Sequence, residues 1–241
     1  MVSSRFNPIC VLLLTLAFSS PGSAHAAEPV TTNKWAREIA AFARQDQQSP
    51  PPPKPILFTG SSSVRMWTNL ARIFPGRPLL NRGFGGSHFS DLLEHFDALV
   101  APYDPSVIVV YEGDNDIASG KSPEQVLADF NELRRRIRER FPNARCAYLA
   151  IKGSPSRLKH LEAQRQANHQ IHQVIDADPQ WSYLDTFSVL LDPAGLPDPK
   201  YFIDDRLHLN GEGYSQWQKV VGPWLDLAVG PVNPAGAAPR P

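Results

Sequence analysis

The run SVIVVY, residues 106–111, is the most strongly apolar of five short runs that alternate with helical patterns along this chain. Consecutive apolar and β-branched residues are typical of a strand that is covered on both faces, as the strands of parallel sheets are. The other runs are ILF (56–58), PLLN (78–81), CAYLAI (146–151) and WSYLDTF (181–187), and the helical patterns lie around residues 63–74, 88–99, 122–141, 156–177 and 211–228. The alternation predicts an α/β fold, a three-layer α/β/α sandwich around a five-stranded, mainly parallel sheet.

The clearest helix boundary is the sequence SPEQ at residues 122–125. A serine followed three residues later by glutamine forms a capping box, and proline is favoured at the first helical position. The apolar residues that then follow one helical face are Val126, Leu127, Phe130, Leu133 and Ile137. We therefore expect a helix that begins just after Ser122 and packs this face against the sheet.

The composition narrows the class of protein. The chain has 241 residues, of which 42% are hydrophobic and 20% charged, which fits a globular protein of one domain or two small ones. Its formal net charge is zero, so no overall field would attract nucleic acid or an anionic membrane surface. We therefore expect no nucleic-acid partner, while the oligomeric state stays open.

The first 26 residues have the features of an export signal. Arg5 precedes the apolar segment ICVLLLTLAF (9–18), and AHA (24–26) resembles a small-residue cleavage site. Ten residues make only about 15 Å of helix, about half of a bilayer core, so a membrane span is not expected. The sequence predicts a signal peptide at 1–26, cleavage near Ala26, and a periplasmic or secreted mature protein.

Three segments follow the predicted signal. Residues 27–54 should form an amphipathic helix, with Trp35, Ile39 and Phe42 on one face, and a proline-rich strap that includes SPPPPKP (49–55). Residues 55–229 should form the main domain, and the proline- and alanine-rich residues 230–241 a disordered tail. Cys10 would leave with the signal, so Cys146 is expected to be an unpaired, buried thiol.

Reactive side chains cluster where the predicted strands end. Gly60 and three serines (61–63) follow the first run, NRGFGGSH (81–88) the second and EGDNDIASG (112–120) the third, while IDDRLHLN (203–210) precedes the last helix. Ligands of parallel sheets bind beyond the carboxyl ends of the strands, so these segments should meet at one edge. A serine, a histidine, a carboxylate and hydrogen-bond donors there predict acyl transfer through a serine nucleophile.

These segments resemble, block by block, the motifs of the SGNH or GDSL-type hydrolase family. FTGSSS (58–63) is similar to the family's first block, NRGFGG (81–86) to the second, GDND (113–116) to the third and DRLH (205–208) to the last. The resemblance extends from about Ile56 to Leu225. It implies a flavodoxin-like SGNH hydrolase fold and an esterase or lipase activity that requires no cofactor and no metal.

The resemblance also implies individual roles. Ser62 would be the nucleophile, His208 its general base and Asp205 the carboxylate that orients the histidine. The backbone amides of Ser62 and Gly86 and the side-chain amide of Asn115 would form the oxyanion hole. Ser61 stands where the family usually has aspartate, and we expect it to form a weaker local hydrogen bond to the backbone. Ser63 is expected to open the following helix.

Several residues have alternative interpretations. Asp204 competes with Asp205 for the orienting role. DND (114–116) resembles the start of a calcium loop, but the downstream glycine and glutamate are missing. His160, His169 and His172 could form a surface metal site, although a solvated helix face is favoured.

Two further groups of residues have both a functional and a structural interpretation. Arg65 and Arg82 flank the predicted site in sequence and could contact an anionic substrate or form structural ion pairs. The tryptophans at 67, 217 and 224 fit apolar helical stripes of the core better than platforms for sugar binding.

The sequence therefore predicts a secreted or periplasmic carboxylic-ester hydrolase. The resemblance suggests short acyl esters, such as acetyl groups on carbohydrate, or lysophospholipid or thioester substrates, without choosing among them. An O-acyltransferase, which would use a sugar hydroxyl instead of water, is one alternative. A non-catalytic carbohydrate-binding module is another, although binding alone would not require a nucleophile, a base and an oxyanion hole.

Overall fold

The computed structural model describes Met1 and residues 34–230. Nearly all of the predicted signal peptide at 1–26 and of the predicted tail at 230–241 lies outside the described residues. The proposed segment boundaries at 26, 54 and 229 remain predictions.

A single five-stranded sheet forms the centre of the described region. The strands are β1 (Ile56–Gly60), β2 (Leu79–Gly83), β3 (Val107–Tyr111), β4 (Arg145–Leu149) and β5 (Trp181–Leu184). They are all parallel, in the order β2-β1-β3-β4-β5. Gly60 is paired with both Gly83 and Tyr111, so the carboxyl ends of β1, β2 and β3 are level. The predicted fold class is confirmed, and every strand of the sheet is parallel.

The α-helices of residues 34–230 cover both faces of this sheet. They are α1 (Ala36–Gln48), α2 (Ser62–Arg65), α3 (Leu70–Ile73), α4 (Phe89–Glu94), α5 (Phe96–Leu99), α6 (Asp114–Ala118), α7 (Pro123–Arg140), α8 (Leu161–Asp176) and α9 (Gly211–Val229). Short 3-10 helices span Ala101–Tyr103, Pro155–His160, Ser188–Leu190 and Pro199–Tyr201. The capping box at Ser122 is present, with the Ser122 and Gln125 side chains each bonded to the other's backbone amide.

Three predicted helices differ from those observed. The pattern at 63–74 forms two short helices, because the chain between them turns to place the fully buried Trp67 in the core. The pattern at 88–99 is interrupted at His95, whose φ of −100° and ψ of 14° are not helical. The pattern at 156–177 begins as a 3-10 helix that contains a further non-helical residue, Arg157 (φ −120°, ψ 24°).

Two apolar clusters fill the space between the sheet and its helices. One face of the sheet, with Leu57, Ile108 and Val110, packs against α4, α5, α7 and α8, and Trp35, Ile39 and Phe42 of the N-terminal segment join this cluster. The opposite face packs against α2, α3 and α9. Trp67 and Trp217 are fully buried in this second cluster, and the partly buried Trp224 packs against it, as predicted from the sequence. Cys146, in the first cluster, is a buried free thiol, also as predicted.

None of the helices between residues 34 and 230 combines the length and the apolar character that a membrane crossing requires.

Candidate active site

Gly60 ends β1 and sets the position of the serines that follow. Its φ is +125°, and a β-carbon at this residue would lie 2.0 Å from the carbonyl oxygen of Tyr111 on β3. Only glycine allows this conformation and this close approach to the neighbouring strand. The chain then turns, and α2 begins at Ser62, one residue earlier than the predicted start at Ser63.

Ser61 shows how the turn is supported without the family's aspartate. Its amide donates to the carbonyl of Tyr111 at 3.0 Å, and its carbonyl accepts from the amides of Val64 and Arg65. The side chain is buried but forms no capping hydrogen bond, contrary to the expectation from sequence. Main-chain hydrogen bonds therefore hold this turn, and the local hydroxyl bond that we predicted is absent.

Ser62, His208 and Asp205 form one line of contacts. The Ser62 Oγ lies 2.9 Å from His208 Nε2, and His208 Nδ1 lies 2.5 Å from Asp205 Oδ2. These three residues come from positions up to 146 apart in sequence. The arrangement can move a proton from the serine hydroxyl to the imidazole, with a carboxylate stabilising the cation that forms.

The loop before α9 fixes the orientation of Asp205. Its other oxygen, Oδ1, accepts from the backbone amides of Leu207 and His208 at 2.8 and 2.9 Å. Partial burial acts to raise the pKa of this carboxyl, but the hydrogen bonds from His208 and from the two amides outweigh it and lower the pKa to about 2. Asp205 is therefore ionised at neutral pH. The exposed neighbour Asp204 has no contact with His208 among the described residues.

Gly86 and Asn115 line the same cleft as His208. Gly86 has a φ of +73°, a conformation that glycine adopts without strain. Ser62, Gly86, Asn115 and His208 line one cavity of about 370 Å³. Within residues 34–230, neither the Ser62 nor the Gly86 amide donates a hydrogen bond to the protein, so both are available to a ligand.

Two neighbours orient the Asn115 side chain. Its Nδ2 donates to the carbonyl of Ser87 at 2.9 Å, and its Oδ1 accepts from Arg157 Nη2 at 2.9 Å. An arginine can only donate, so it fixes which end of the amide is the oxygen. The second N–H of Nδ2 remains available for the cleft.

Arg157 belongs to a buried group of charges that the sequence analysis missed. Its Nη1 lies 2.7 Å from Asp114 Oδ1, and the same carboxylate contacts Lys152 at 2.8 Å and accepts from Gln164 at 3.0 Å. Burial acts to raise the pKa of Asp114, but the two cations outweigh it and lower the pKa. Asp114 and Asn115 both lie in α6, a short helix that is not among the helical patterns predicted from the sequence. No local pattern relates Arg157 to a residue 42 positions away.

A hydrogen bond between Ser87, which follows the second motif, and Glu112, which precedes the third, connects the two motifs. The Ser87 Oγ and Glu112 Oε1 are 2.6 Å apart in a fully buried environment. Burial, reinforced by the charge of Asp116, raises the pKa of Glu112 well above its usual value, although the Ser87 hydrogen bond opposes this. The folded protein therefore favours the protonated form of Glu112 more than water does. Ser87, whose hydroxyl contacts Glu112, is also the residue whose carbonyl Asn115 contacts.

The N-terminal helix also contributes to the cleft. Lys34, Trp35 and Glu38 line the same cavity as Ser62. The Trp35 indole donates to the Gly85 carbonyl at 2.8 Å, and the Gly85 amide donates to Glu38 at 3.3 Å. The sequence identified this helix but provided no signal that it reaches the second motif, about 50 residues further along.

The two arginines that flank the motifs have different surroundings. Arg82 is buried, pairs with Asp46 of α1 and donates to Tyr103 Oη at 2.8 Å, which is a structural role. Arg65 lines the cleft, with a half-exposed side chain and one long contact of 3.8 Å to Glu38.

Three residues of the proposed metal alternatives, Asp114, Asp116 and His172, have other partners. Asp114 is paired as described, and Asp116 contacts Lys121 at 2.8 Å and accepts from the Phe89 amide. His172 stacks on Tyr183 with ring centroids 4.2 Å apart and contacts Asp176. In the described part of the chain, no three His, Cys, Asp or Glu side chains are grouped closely enough to hold a metal ion.

Comparison with known proteins places this geometry in a family. A model of the GDSL-like lipase/acylhydrolase family matches residues 52–216. A search of curated proteins found no match.

Similar solved structures share the fold. One is a Streptococcus pneumoniae protein whose name refers to platelet activating factor; it is 23% identical, with a TM-score of 0.69 over 78% of this chain and 92% of its own. A GDSL-like lipase from Bacteroides thetaiotaomicron is 16% identical, with a TM-score of 0.67 over 79% and 98% of the two chains. An acetylxylan esterase from Geobacillus stearothermophilus is 12% identical, with a TM-score of 0.58 over 70% and 92%.

The family match covers most of the main domain, and the family is one of enzymes. A non-catalytic binding module, one of the two alternatives left open by the sequence, is thereby set aside. The chain belongs to the GDSL-like lipase/acylhydrolase family and is a hydrolase that acts on ester bonds.

Proposed function

We propose that this enzyme hydrolyses carboxylic esters through an acyl-serine intermediate on Ser62. The observation that carries the proposal is the continuous line of contacts from Ser62 Oγ to His208 Nε2 (2.9 Å) and from His208 Nδ1 to Asp205 Oδ2 (2.5 Å). A serine hydroxyl is a weak nucleophile at neutral pH and requires such a base.

The chemistry follows in two halves. Ser62 Oγ attacks the ester carbonyl carbon while its proton passes to His208 Nε2. The bond to the alcohol then breaks, and the alcohol leaves with that proton. Water repeats the sequence on the acyl-enzyme, gives its proton to His208 and releases the acid, after which the proton returns to Ser62. Asp205, ionised and bonded to Nδ1, holds the imidazole in the tautomer that accepts at Nε2.

Three donors would stabilise the negative oxygen of each tetrahedral intermediate. They are the amides of Ser62 and Gly86, which have no protein partner, and the second N–H of Asn115. One preorganised donor of this type typically contributes about 3–4 kcal/mol to lowering the barrier. Because Arg157 and Ser87 already fix the Asn115 amide, little reorganisation is needed during the reaction.

The proposed substrates are esters of short acyl groups, such as acetyl esters, or lysophospholipid-type esters. The modest cavity of about 370 Å³ beside Ser62 supports a small acyl group, and a structural neighbour is an acetylxylan esterase. The reaction as written uses no cofactor. From the signal-like residues 1–26 we propose export to the periplasm or the medium.

Labelling with a fluorophosphonate probe, followed by an ester panel of varied chain length, tests this function. Ser62→Ala should lose both labelling and turnover and should remain folded, because Ser62 is the first residue of α2 and is not among the buried residues of that helix. Ser61→Ala and Ser63→Ala are the matched controls and should still be labelled. Retained labelling of Ser62→Ala, with loss in either control, would show that the nucleophile is assigned to the wrong serine.

A further inference from the structure

Two cations lie against the glycine pair of the second motif, on the wall of the cleft. A β-carbon at Gly85 would lie 2.9 Å from the Arg65 guanidinium carbon, and one at Gly86 would lie 3.4 Å from Lys34 Nζ. Gly86 is the residue whose free amide faces the cleft. Lys34 and Arg65 thus reach the site from different segments, the N-terminal segment and α2, and line the same cavity as Ser62 and Gly86.

Neither cation is needed by the fold. The Arg65 side chain is half exposed, and its ion pair with Glu38 is 3.8 Å long, a distance and exposure at which such a pair contributes little to stability. Lys34 is exposed and lies over the Trp35 ring at 4.7 Å, with no carboxylate partner among the described residues. Arg157, the third cation of the cavity, is already engaged by Asp114 and Asn115.

The charge balance of the cleft wall is therefore positive. Lys34 and Arg65 line the cavity together with a single carboxylate, Glu38. This contrasts with the zero net charge of the whole chain, so the excess is local to the site. A cleft with an excess of one sign favours ligands of the opposite sign.

We propose that Lys34 and Arg65 form an anion-binding subsite, so that the preferred ester carries a carboxylate or a phosphate close to the bond that is cleaved. The inference rests on the proposed function and specifies its substrate class. Both side chains are long and have room to move, so an anionic group a few bonds from the ester carbonyl could contact both while the carbonyl oxygen lies at Gly86.

The test compares matched anionic and neutral esters by their kcat/KM ratio at low ionic strength. One arm places the anion in the acyl part, as in mono-4-nitrophenyl glutarate against 4-nitrophenyl pentanoate. The second and third arms place it in the alcohol part, as in an acetylated uronic acid against its methyl ester, and an acetylated sugar phosphate against the free sugar. The arm with the highest ratio identifies the position and type of the anion.

Variants that remove a cation and a variant that removes the carboxylate should change the anionic-to-neutral ratio in opposite directions. Lys34→Gln and Arg65→Gln should each lower the anionic-to-neutral ratio by about twofold to fivefold, the range of an exposed ion pair. Glu38→Gln removes the competing carboxylate and should raise the ratio. Arg37→Gln is the matched control, because Arg37 is an exposed cation of α1 that does not line the cavity. The anionic-to-neutral ratio of this variant should equal that of the native enzyme. Added salt should lower the ratio of the native enzyme.

Failure of the subsite differs from failure of the function. Hydrolysis of neutral esters and Ser62 labelling report the ester hydrolase itself, whereas the ratio reports the subsite. A ratio near one in all three arms, or an equal fall in Arg37→Gln, would overturn the subsite while leaving the hydrolase intact. If no ester is hydrolysed and no label is incorporated, the proposed function itself is wrong.

Discussion

Asp205 uses its two oxygens for different purposes. Oδ1 accepts from backbone amides of its own loop, and Oδ2 contacts the imidazole. The residue can therefore be altered at Oδ2 without loosening the loop.

Asp205→Asn should lower kcat by about three to four orders of magnitude, the cost of holding a catalytic histidine in the wrong tautomer. The amide oxygen can keep the loop bonds, but the NH₂ group would donate to Nδ1 and leave Nε2 protonated, unable to accept from Ser62. Steady-state kinetics with a neutral ester measure the effect. Asp204→Asn is the control and should remain near native; if it lost more activity than Asp205→Asn, the orienting carboxylate would be Asp204.

Asn115→Ala should lower kcat about a hundredfold or more and change KM much less, because the charge it would stabilise exists only in the transition state. Kinetics and thermal melting should be measured on the same preparation. A variant with near-native kcat that melts several degrees earlier would show that Asn115 only supports the turn.

The site was partly predictable at this scale. Asp205 and His208 are three residues apart, and Ser62 and Asn115 lie in short motifs directly after strands, so local patterns mark all four. Arg157 and Trp35 act through contacts that close only when the chain folds, across 42 and 50 positions. A single sequence contains no periodicity or spacing that reports such pairs.

At the scale of elements, the close approach of β1 to β3 requires a glycine at the end of β1, directly before the serines of the first motif. Gly60 and Gly120 both have positive φ, at +125° and +102°, but only Gly60 faces a neighbouring atom. An alanine at Gly60 would contact the Tyr111 carbonyl, whereas one at Gly120 would meet nothing within 4 Å.

Gly60→Ala should therefore destabilise the protein by clearly more than Gly120→Ala, whose cost should be about 1 kcal/mol from the backbone conformation alone. Urea unfolding of both variants measures the difference. Activity of Gly60→Ala should fall as well, because separating β1 from β3 displaces Ser62. Equal losses of stability in the two variants would mean that the strands adjust to the added carbon without cost.

The predictions of helices and strands were correct where the pattern depends only on residues close together in sequence. The parallel strands are runs of apolar residues, and the capping box at Ser122 marks the start of α7 whatever surrounds it. The helical pattern at 63–74 was wrong because burial of Trp67, a tertiary demand, overrides helix continuity. The short helix α6 was missed because five residues are too few to show a helical period in the sequence.

At the scale of the whole molecule, the buried acid Glu112 links stability to pH. Its pKa is raised in the folded state, so the native protein retains a proton that the unfolded chain loses above pH ~4.3. This contribution to stability is fully present below pH ~4.3 and is lost as the pH rises towards the raised pKa.

Glu112→Gln should remove that dependence. The free energy of unfolding of the native protein should fall relative to the variant as the pH rises above ~4.3 towards the raised pKa of Glu112, by at most about 1.4 kcal/mol per pH unit for one proton. Urea unfolding at four pH values measures it, and other titrating groups cancel in the difference. Parallel curves would mean that Glu112 is ionised in the folded protein.

The two ends of the described chain leave the domain on opposite sides. Lys34 lies in the wall of the cleft, whereas α9, which starts just after His208 and is about 28 Å long, ends where Leu227 accepts from Arg145 at the start of β4. A purification handle or an immobilising linker joined shortly before Lys34 would begin beside Ser62 and could obstruct bulky esters. The same handle placed after α9 would leave from the opposite edge of the sheet, which makes the C-terminal end the better attachment point for kinetic work.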